Sequence, residues 1–176
     1  MEQAVLTAVA AAAGFIGKSL WDLYWTRRSG IKALARQKRL EFLERRLSSF
    51  YWPVYLHLQK NNVVWEHLMD RAAPNSKIRS TVDEELRRAF FLPNHQAIVA
   101  IIESNIHLAQ PDEQLEQLLF RFLRHVTLFK ALRDAGIEDS HPLSVGEPWP
   151  RELLPAIEAR LRELQRRYNQ ELQEAA

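Results

Sequence analysis

An all-α chain is the fold class that the sequence predicts, on three observations. Leu, Arg, Glu, Gln and Ala dominate the 176 residues. No stretch alternates apolar and polar residues with the period of a strand, and apolar residues recur instead at three- and four-residue spacings. The order of segments then predicts an N-terminal transmembrane helix, a basic juxtamembrane helix and a cytoplasmic helical bundle of about five helices, divided as 1–28, 29–52 and 53–176. A hydrophobic fraction of 47% and a charged fraction of 26% are ordinary for a folded protein. With no Cys, disulfides and thiolate metal sites are excluded, and a reducing compartment is suited.

Residues 1–28 are read first. Ala4 to Gly17 form an almost unbroken apolar run, followed by Lys18, by Trp21, Tyr24 and Trp25, and by Arg27 and Arg28. That is the order of hydrocarbon, interface and cytoplasm, with Lys18, Trp21, Tyr24, Trp25, Arg27 and Arg28 as membrane-interface residues. A helix over Gln3 to Trp25 is about 34 Å long, enough for a bilayer core of about 30 Å. Lys18 can snorkel towards the headgroups and pair with Asp22 one turn on. A cleaved signal peptide fits less well, because Glu2 is the only charge before the apolar run. A second reading stays open: Lys18 and Asp22 lower the hydropathy, as in an Ala-rich helix buried inside a soluble oligomer. Ala10 with Gly14, and Ala13 with Gly17, give the small-residue spacing that allows close helix approach, though an Ala-rich segment produces it easily.

The net charge of +2 hides an uneven distribution. From Arg27 to Arg46 there are eight Lys or Arg residues against Glu41 and Glu44, so this segment is +6 and the rest of the chain −4. A basic nucleic-acid binder would not concentrate its charge beside an apolar helix, so no direct nucleic-acid binding is expected. An anionic leaflet would attract such a segment by roughly 1 kcal/mol per basic residue near the surface. The Lys/Arg excess after the span sets the orientation: amino terminus outside, carboxyl terminus cytoplasmic, in a cell inner membrane.

In the connector, Gly30 is expected to interrupt the helix at the membrane surface. Leu40, Leu43, Leu47, Phe50 and Val54 then follow at spacings of three and four, a stripe suited to packing on the domain that follows. A parallel inter-chain coil is the alternative, but two heptads specify one poorly. In Phe50-Tyr51-Trp52-Pro53-Val54-Tyr55, Pro53 removes an amide donor and predicts a kink or helix boundary. The rings around it are expected to form a core wedge.

This layout of terminal membrane helix, basic juxtamembrane helix and the Phe50-Tyr51-Trp52-Pro53 step resembles a diffuse class of small bacterial membrane-anchored helical proteins. Some members of that class act as membrane effectors in phage defence. The resemblance covers about residues 1 to 60, rests on architecture, and carries over no functional residue.

In the remaining chain, Val54 to Asp70 reads as a helix with Leu58, Trp65, Leu68 and Met69 inward. Thr81 and Glu84 form a capping box that starts a helix running to Phe91, and Leu92-Pro93 breaks it. Asn94 is expected to cap an apolar helix through Ile98, Val99, Ile101, Ile102 and Ile106. Pro111 and Asp112 open a helix whose inner face is Leu115, Leu118, Leu119, Phe122, Leu123, Val126 and Phe129, with Gly136 as its terminal glycine. Residues 137–150 form a loop rich in Pro, Gly and Ser. Pro150 is placed in the first turn of the last helix. That helix carries the narrow stripe Leu154, Ile157, Leu161, Leu164 and Tyr168, continued by Leu172, which either closes the bundle or pairs with a second subunit.

Chemistry is sparse. There is no phosphate-binding glycine loop, nucleophile elbow or His-Glu-x-x-His, so no catalytic residue is assigned and the reading leans away from an enzyme. Glu103 and His107 stand one turn apart but lack a third ligand, so neither a metal nor a cofactor is assigned. A hydrolase or transferase with its site in the bundle would draw on His95, Glu103 and His107. Lys77, Arg79, Ser80, Thr81, Arg87 and Arg88 gather cations and hydroxyls at an expected helix N-terminus, where a phosphate-bearing ligand such as a nucleotide second messenger could bind. Asp83, Glu84 and Glu85 offset that charge, and the plainer reading is a solvated, capped loop. His141 and Trp149 are a second candidate. The expected partners are the lipid bilayer, a second copy of the chain, and a ligand or partner protein. The alternative is a soluble helical oligomer or adaptor.

Overall fold

The computed structural model describes the backbone of residues 2–69, 85–137 and 145–174, with side chains other than those of 2–17, 20, 68 and 69. Every regular element among the described residues is helical. These are α1 (Glu2–Arg46), α2 (Trp52–Val64), α3 (Leu92–Ala109), α4 (Glu113–Asp134) and α5 (Leu153–Gln173). Three five-residue π-helical segments join them: π1 (Leu47–Tyr51), π2 (Trp65–Met69) and π3 (Arg87–Phe91). The chain divides into two compact units, Met1–Phe42 and Leu43–Ala176.

Gly30 does not interrupt α1, which runs unbroken for 45 residues. A glycine inside a helix costs about 1 kcal/mol relative to Ala, too little to end a long helix. Among the described residues, no helix is long and apolar enough to cross a membrane. The described portion therefore lends the expected span no support. The apolar run Ala4 to Gly17, with its small-residue pairs, has its side chains outside the described residues.

Both prolines sit just after a π segment, Pro53 at the expected boundary between π1 and α2. Trp52 donates its N–H to Leu47 O, and Leu92 donates to Arg87 O, each reaching one residue further back than in an α-helix. The wider turn relieves the clash between a proline ring and the carbonyl four residues earlier, and it tolerates the missing donor. Arg46, Trp52, Phe91 and Leu92 all keep right-handed helical angles. Pro53 thus marks a change of hydrogen-bond register, and Leu92-Pro93 does not break the path from π3 into α3. The two helices expected on either side of Pro93 are one rod, so the described bundle holds four rods rather than about five. Thr81 and Glu84, the expected capping box, lie outside the described residues.

In the larger unit, π1 and α2 pack on α3 and α5, α3 packs on α4, and α4 packs on α5. One core fills the space between them. Leu47, Phe50, Tyr51, Val54 and Leu58 come from π1 and α2; Ile98 and Ile102 from α3; Leu115, Leu119 and Phe122 from α4; Leu153, Ile157, Leu161 and Leu164 from α5. The stripe of the connector and that of α5 therefore close the bundle. Phe50 and Tyr51 are fully buried, and Trp52 and Tyr55 pack against the core as the expected wedge. Trp65 is exposed rather than inward, as are Ile106 and Leu172.

The ends of α4 follow the sequence. Asp112 accepts the Leu115 N–H at 2.9 Å as N-cap. At the other end Gly136, at φ +71°, donates to Arg133 O, and Ile137 donates to Leu132 O. This is a Schellman closure. Pro150 falls before α5 rather than within it, its carbonyl accepting the Leu153 N–H. Asn94 is not a cap: its amide donates to His57 O at 2.8 Å and to Asn61 Oδ1 at 2.7 Å, and its carbonyl oxygen meets His57 Nδ1, tying α3 to α2.

At the junction of α3 and α4, Gln110 adopts a left-handed conformation (φ 42°) and leaves the last carbonyls of α3 facing inward. Arg46 donates from Nε to Leu108 O and from Nη2 to Ala109 O, both at 2.9 Å, and Tyr51 donates to Ala109 O at 2.7 Å. A buried cation at the negative end of a helix satisfies orphan carbonyls and favours the dipole. Burial pushes the Tyr51 phenol up, with Arg46 opposing.

Candidate functional site

The expected membrane-interface residues form a connected band on α1. Trp21 and Trp25 meet edge to face at 5.8 Å between ring centroids, and the Arg28 guanidinium lies 5.8 Å from the Trp25 ring centroid. Arg28 also donates from Nη1 to the Tyr24 hydroxyl at 3.2 Å. Residues four or three apart on a helix share a face, so these contacts follow from the spacing 21, 25, 28. The band is open: Trp21 is 62%, Tyr24 54% and Trp25 48% exposed, and Lys18, Arg27 and Arg28 are exposed with them. Large aromatic rings are rarely left in water in such a group, and amphipathic rings beside cations suit a headgroup layer.

Of the candidate anion-binding residues, Lys77, Arg79, Ser80 and Thr81 lie outside the described residues. Arg88 pairs with Glu85 at 3.2 Å on the surface, and Arg87 is half-buried in π3. Glu103 and His107 are exposed on α3, and among the described residues no group of three His, Cys, Asp or Glu is placed to hold a metal ion. His141 lies outside the described residues.

Trp149 belongs to a buried cluster. Its ring stacks on His95 at 4.9 Å and 26° and meets Phe122 and His125 edge-on at 5.5 and 5.4 Å. His95 also contacts Phe91 and Phe129, and His125 bonds through Nδ1 to Glu147 O at 2.9 Å. A carbonyl only accepts, so this bond puts the proton of neutral His125 on Nδ1. Arg124 holds Glu147 by an ion pair at 3.0 Å, which anchors the segment carrying Trp149. Burial, with His125 adding to it, lowers His95 to a pKa of about 3. Burial lowers His125 too, against the opposing Glu147 carbonyl. His95 Nδ1 is buried with no partner among the described residues. Neutral imidazoles enclosed by rings pack the core, and a reaction would need them reachable by substrate.

His125, Arg46 and the packing role of His95 emerge in the folded chain. One signal was available: Phe91, His95, Ile98 and Ile102 recur at four, three and four, which places His95 on the inner stripe of α3. No such signal existed for Arg46, whose partners are 62 and 63 residues away. No protein-family model matches the chain, and no curated protein or solved structure is significantly similar to it.

Proposed function

We propose that the chain is a non-enzymatic single-pass inner-membrane protein with its amino terminus outside. In this reading residues 1–28 anchor it, and the cytoplasmic helical domain binds a ligand or partner and self-associates. The observation that carries the reading is the open band of Trp21, Tyr24, Trp25, Arg27 and Arg28, placed directly after an apolar run on one unbroken helix. Exposed Leu23, Ile31 and Leu34 on the same helix supply apolar surface for lipid or a second copy. Washing membranes with alkaline carbonate tests the anchor: the full-length chain stays in the pellet, and release into the supernatant defeats the reading. In its extended form, assembly perturbs the membrane, as in the phage-defence effectors that the layout resembles. Induced expression with a membrane-potential dye tests this, and an unchanged potential under every trigger counts against it.

A second reading is a soluble helical oligomer or adaptor with the N-terminal helix inside the assembly. Lys18 and Asp22, which lower the hydropathy of the N-terminal helix, favour it. Deleting residues 1–28 separates the two: an anchored protein yields a soluble folded fragment, and an internal helix yields an aggregate.

A further inference from the structure

We infer that α1 carries a stripe selective for anionic phospholipid headgroups, in which Arg28 and Lys32 read the charge of the leaflet. The inference rests on the anchor reading and names the lipid class it meets. Because Gly30 leaves the helix unbroken, the residues on either side of it stay in one angular register. Trp21, Trp25, Arg28, Lys32 and Arg39 then fall along one face, with spacings built from threes and fours. The first three are already joined through ring and guanidinium contacts. Between Asp22 and Glu41 the sequence has no acidic residue at all, while Arg27, Arg28, Lys32, Arg36, Lys38 and Arg39 are cationic. Trp21, Trp25, Arg28, Lys32 and Arg39 are exposed. A positive stripe with no acidic side chain interleaved is complementary to a phosphate-rich plane. The aromatic end of the same stripe favours a bilayer over a nucleic acid, since the rings lead towards the apolar run.

Depth gives the inference its shape. At 1.5 Å per residue, Lys32 stands about 6 Å beyond Arg28, and Arg39 about 16 Å beyond it. With Arg28 at headgroup level, Lys32 lies within the roughly 8 Å screening length of physiological salt, and Arg39 lies outside it. Each cation within that distance adds a preference of about fivefold for an anionic over a zwitterionic lipid.

The test uses the full-length chain reconstituted into phosphatidylcholine vesicles, with spin-labelled phosphatidylglycerol or phosphatidylcholine as probe. The wild-type chain restricts the anionic probe about 25-fold more strongly, high salt brings the ratio towards one, Arg28→Gln with Lys32→Gln does the same, and Arg39→Gln leaves it nearly unchanged. Equal restriction of both probes overturns the inference, as does an Arg39→Gln effect as large as that of Arg28→Gln. Displacement of the anionic probe by a duplex oligonucleotide overturns it in favour of a nucleic-acid surface. Release of the chain from these vesicles by alkaline carbonate defeats the anchor reading itself, whereas retention without lipid preference defeats only the inference.

Discussion

Two helical regions of this chain share a backbone and differ in where their side chains go. From Lys18 to Phe42, nearly every described side chain of α1 is exposed, including Trp21, Leu23, Tyr24, Trp25, Ile31 and Leu34. From Leu43 onwards, each rod sends a stripe into one core, and Phe50, Val54, Ile98, Phe122 and Ile157 are fully buried. The contrast teaches that helical periodicity alone does not separate a core helix from a surface-seeking one. What separates them is whether the apolar residues meet a partner within the chain. Substitutions in the bundle should therefore change stability, and substitutions in the band should change only what the helix binds.

The largest effect is expected at the wedge. Phe50→Ala removes a fully buried ring and should lower unfolding stability by about 3–5 kcal/mol, read from the urea midpoint of the purified chain. An effect near zero would mean that π1 is not part of the cooperative unit. Acid comes next. His95 has a folded pKa of about 3 against 6.5 for a solvated imidazole, so the unfolded chain takes up the proton first as pH falls. Its contribution is fully present above pH 6.5 and is lost progressively between 6.5 and 3, at up to about 1.4 kcal/mol per pH unit. His125 is shifted in the same direction. Replacing His95 with Phe should flatten the acid side of a stability–pH curve, and an unaltered slope would show that other groups govern it.

Arg46→Met leaves a buried carbonyl, that of Leu108, without its donor and takes one of two donors from Ala109 O, and should cost about 3 kcal/mol, whereas Tyr51→Phe should cost about 1. A loss from Arg46→Met no greater than that from Tyr51→Phe would show that water reaches those carbonyls. The smallest effect sharpens the contrast from the other side. An added Cβ at Gly30 meets nothing within 4 Å, so Gly30→Ala should stabilise α1 by about 1 kcal/mol and raise helical circular dichroism. The bundle's unfolding midpoint should stay put. A shift in that midpoint would join the two regions into one cooperative unit.

Much of the fold was legible in the sequence because its signals are short-ranged. Asp112 and Gly136 delimit α4 through bonds to residues three to five away, and the stripes of π1, α4 and α5 follow from spacings of three and four. The band of Trp21, Tyr24, Trp25 and Arg28 was legible for the same reason. Pro53 falls at the expected boundary, between π1 and α2, whereas the path runs on through Leu92-Pro93; local rules weigh only the lost donor and the ring clash. Packing of π1 and α3 against the bundle offsets those costs by widening one turn. The position of Asn94 suits a cap, but α2 offers it Asn61 and the backbone and ring of His57.

By itself, then, the sequence determined that the chain is helical, where α4 starts and ends, and that a +6 segment follows an aromatic cluster at the end of an apolar run. These depend on residues within a turn or two of one another. Only the tertiary structure decided that Arg46 and Tyr51 close the end of α3, and that His95, His125 and Trp149 form one neutral, buried cluster. Those arrangements join residues far apart in the chain. Such pairs become favourable only when helices from separate parts of the chain exclude water together, and no local spacing records that.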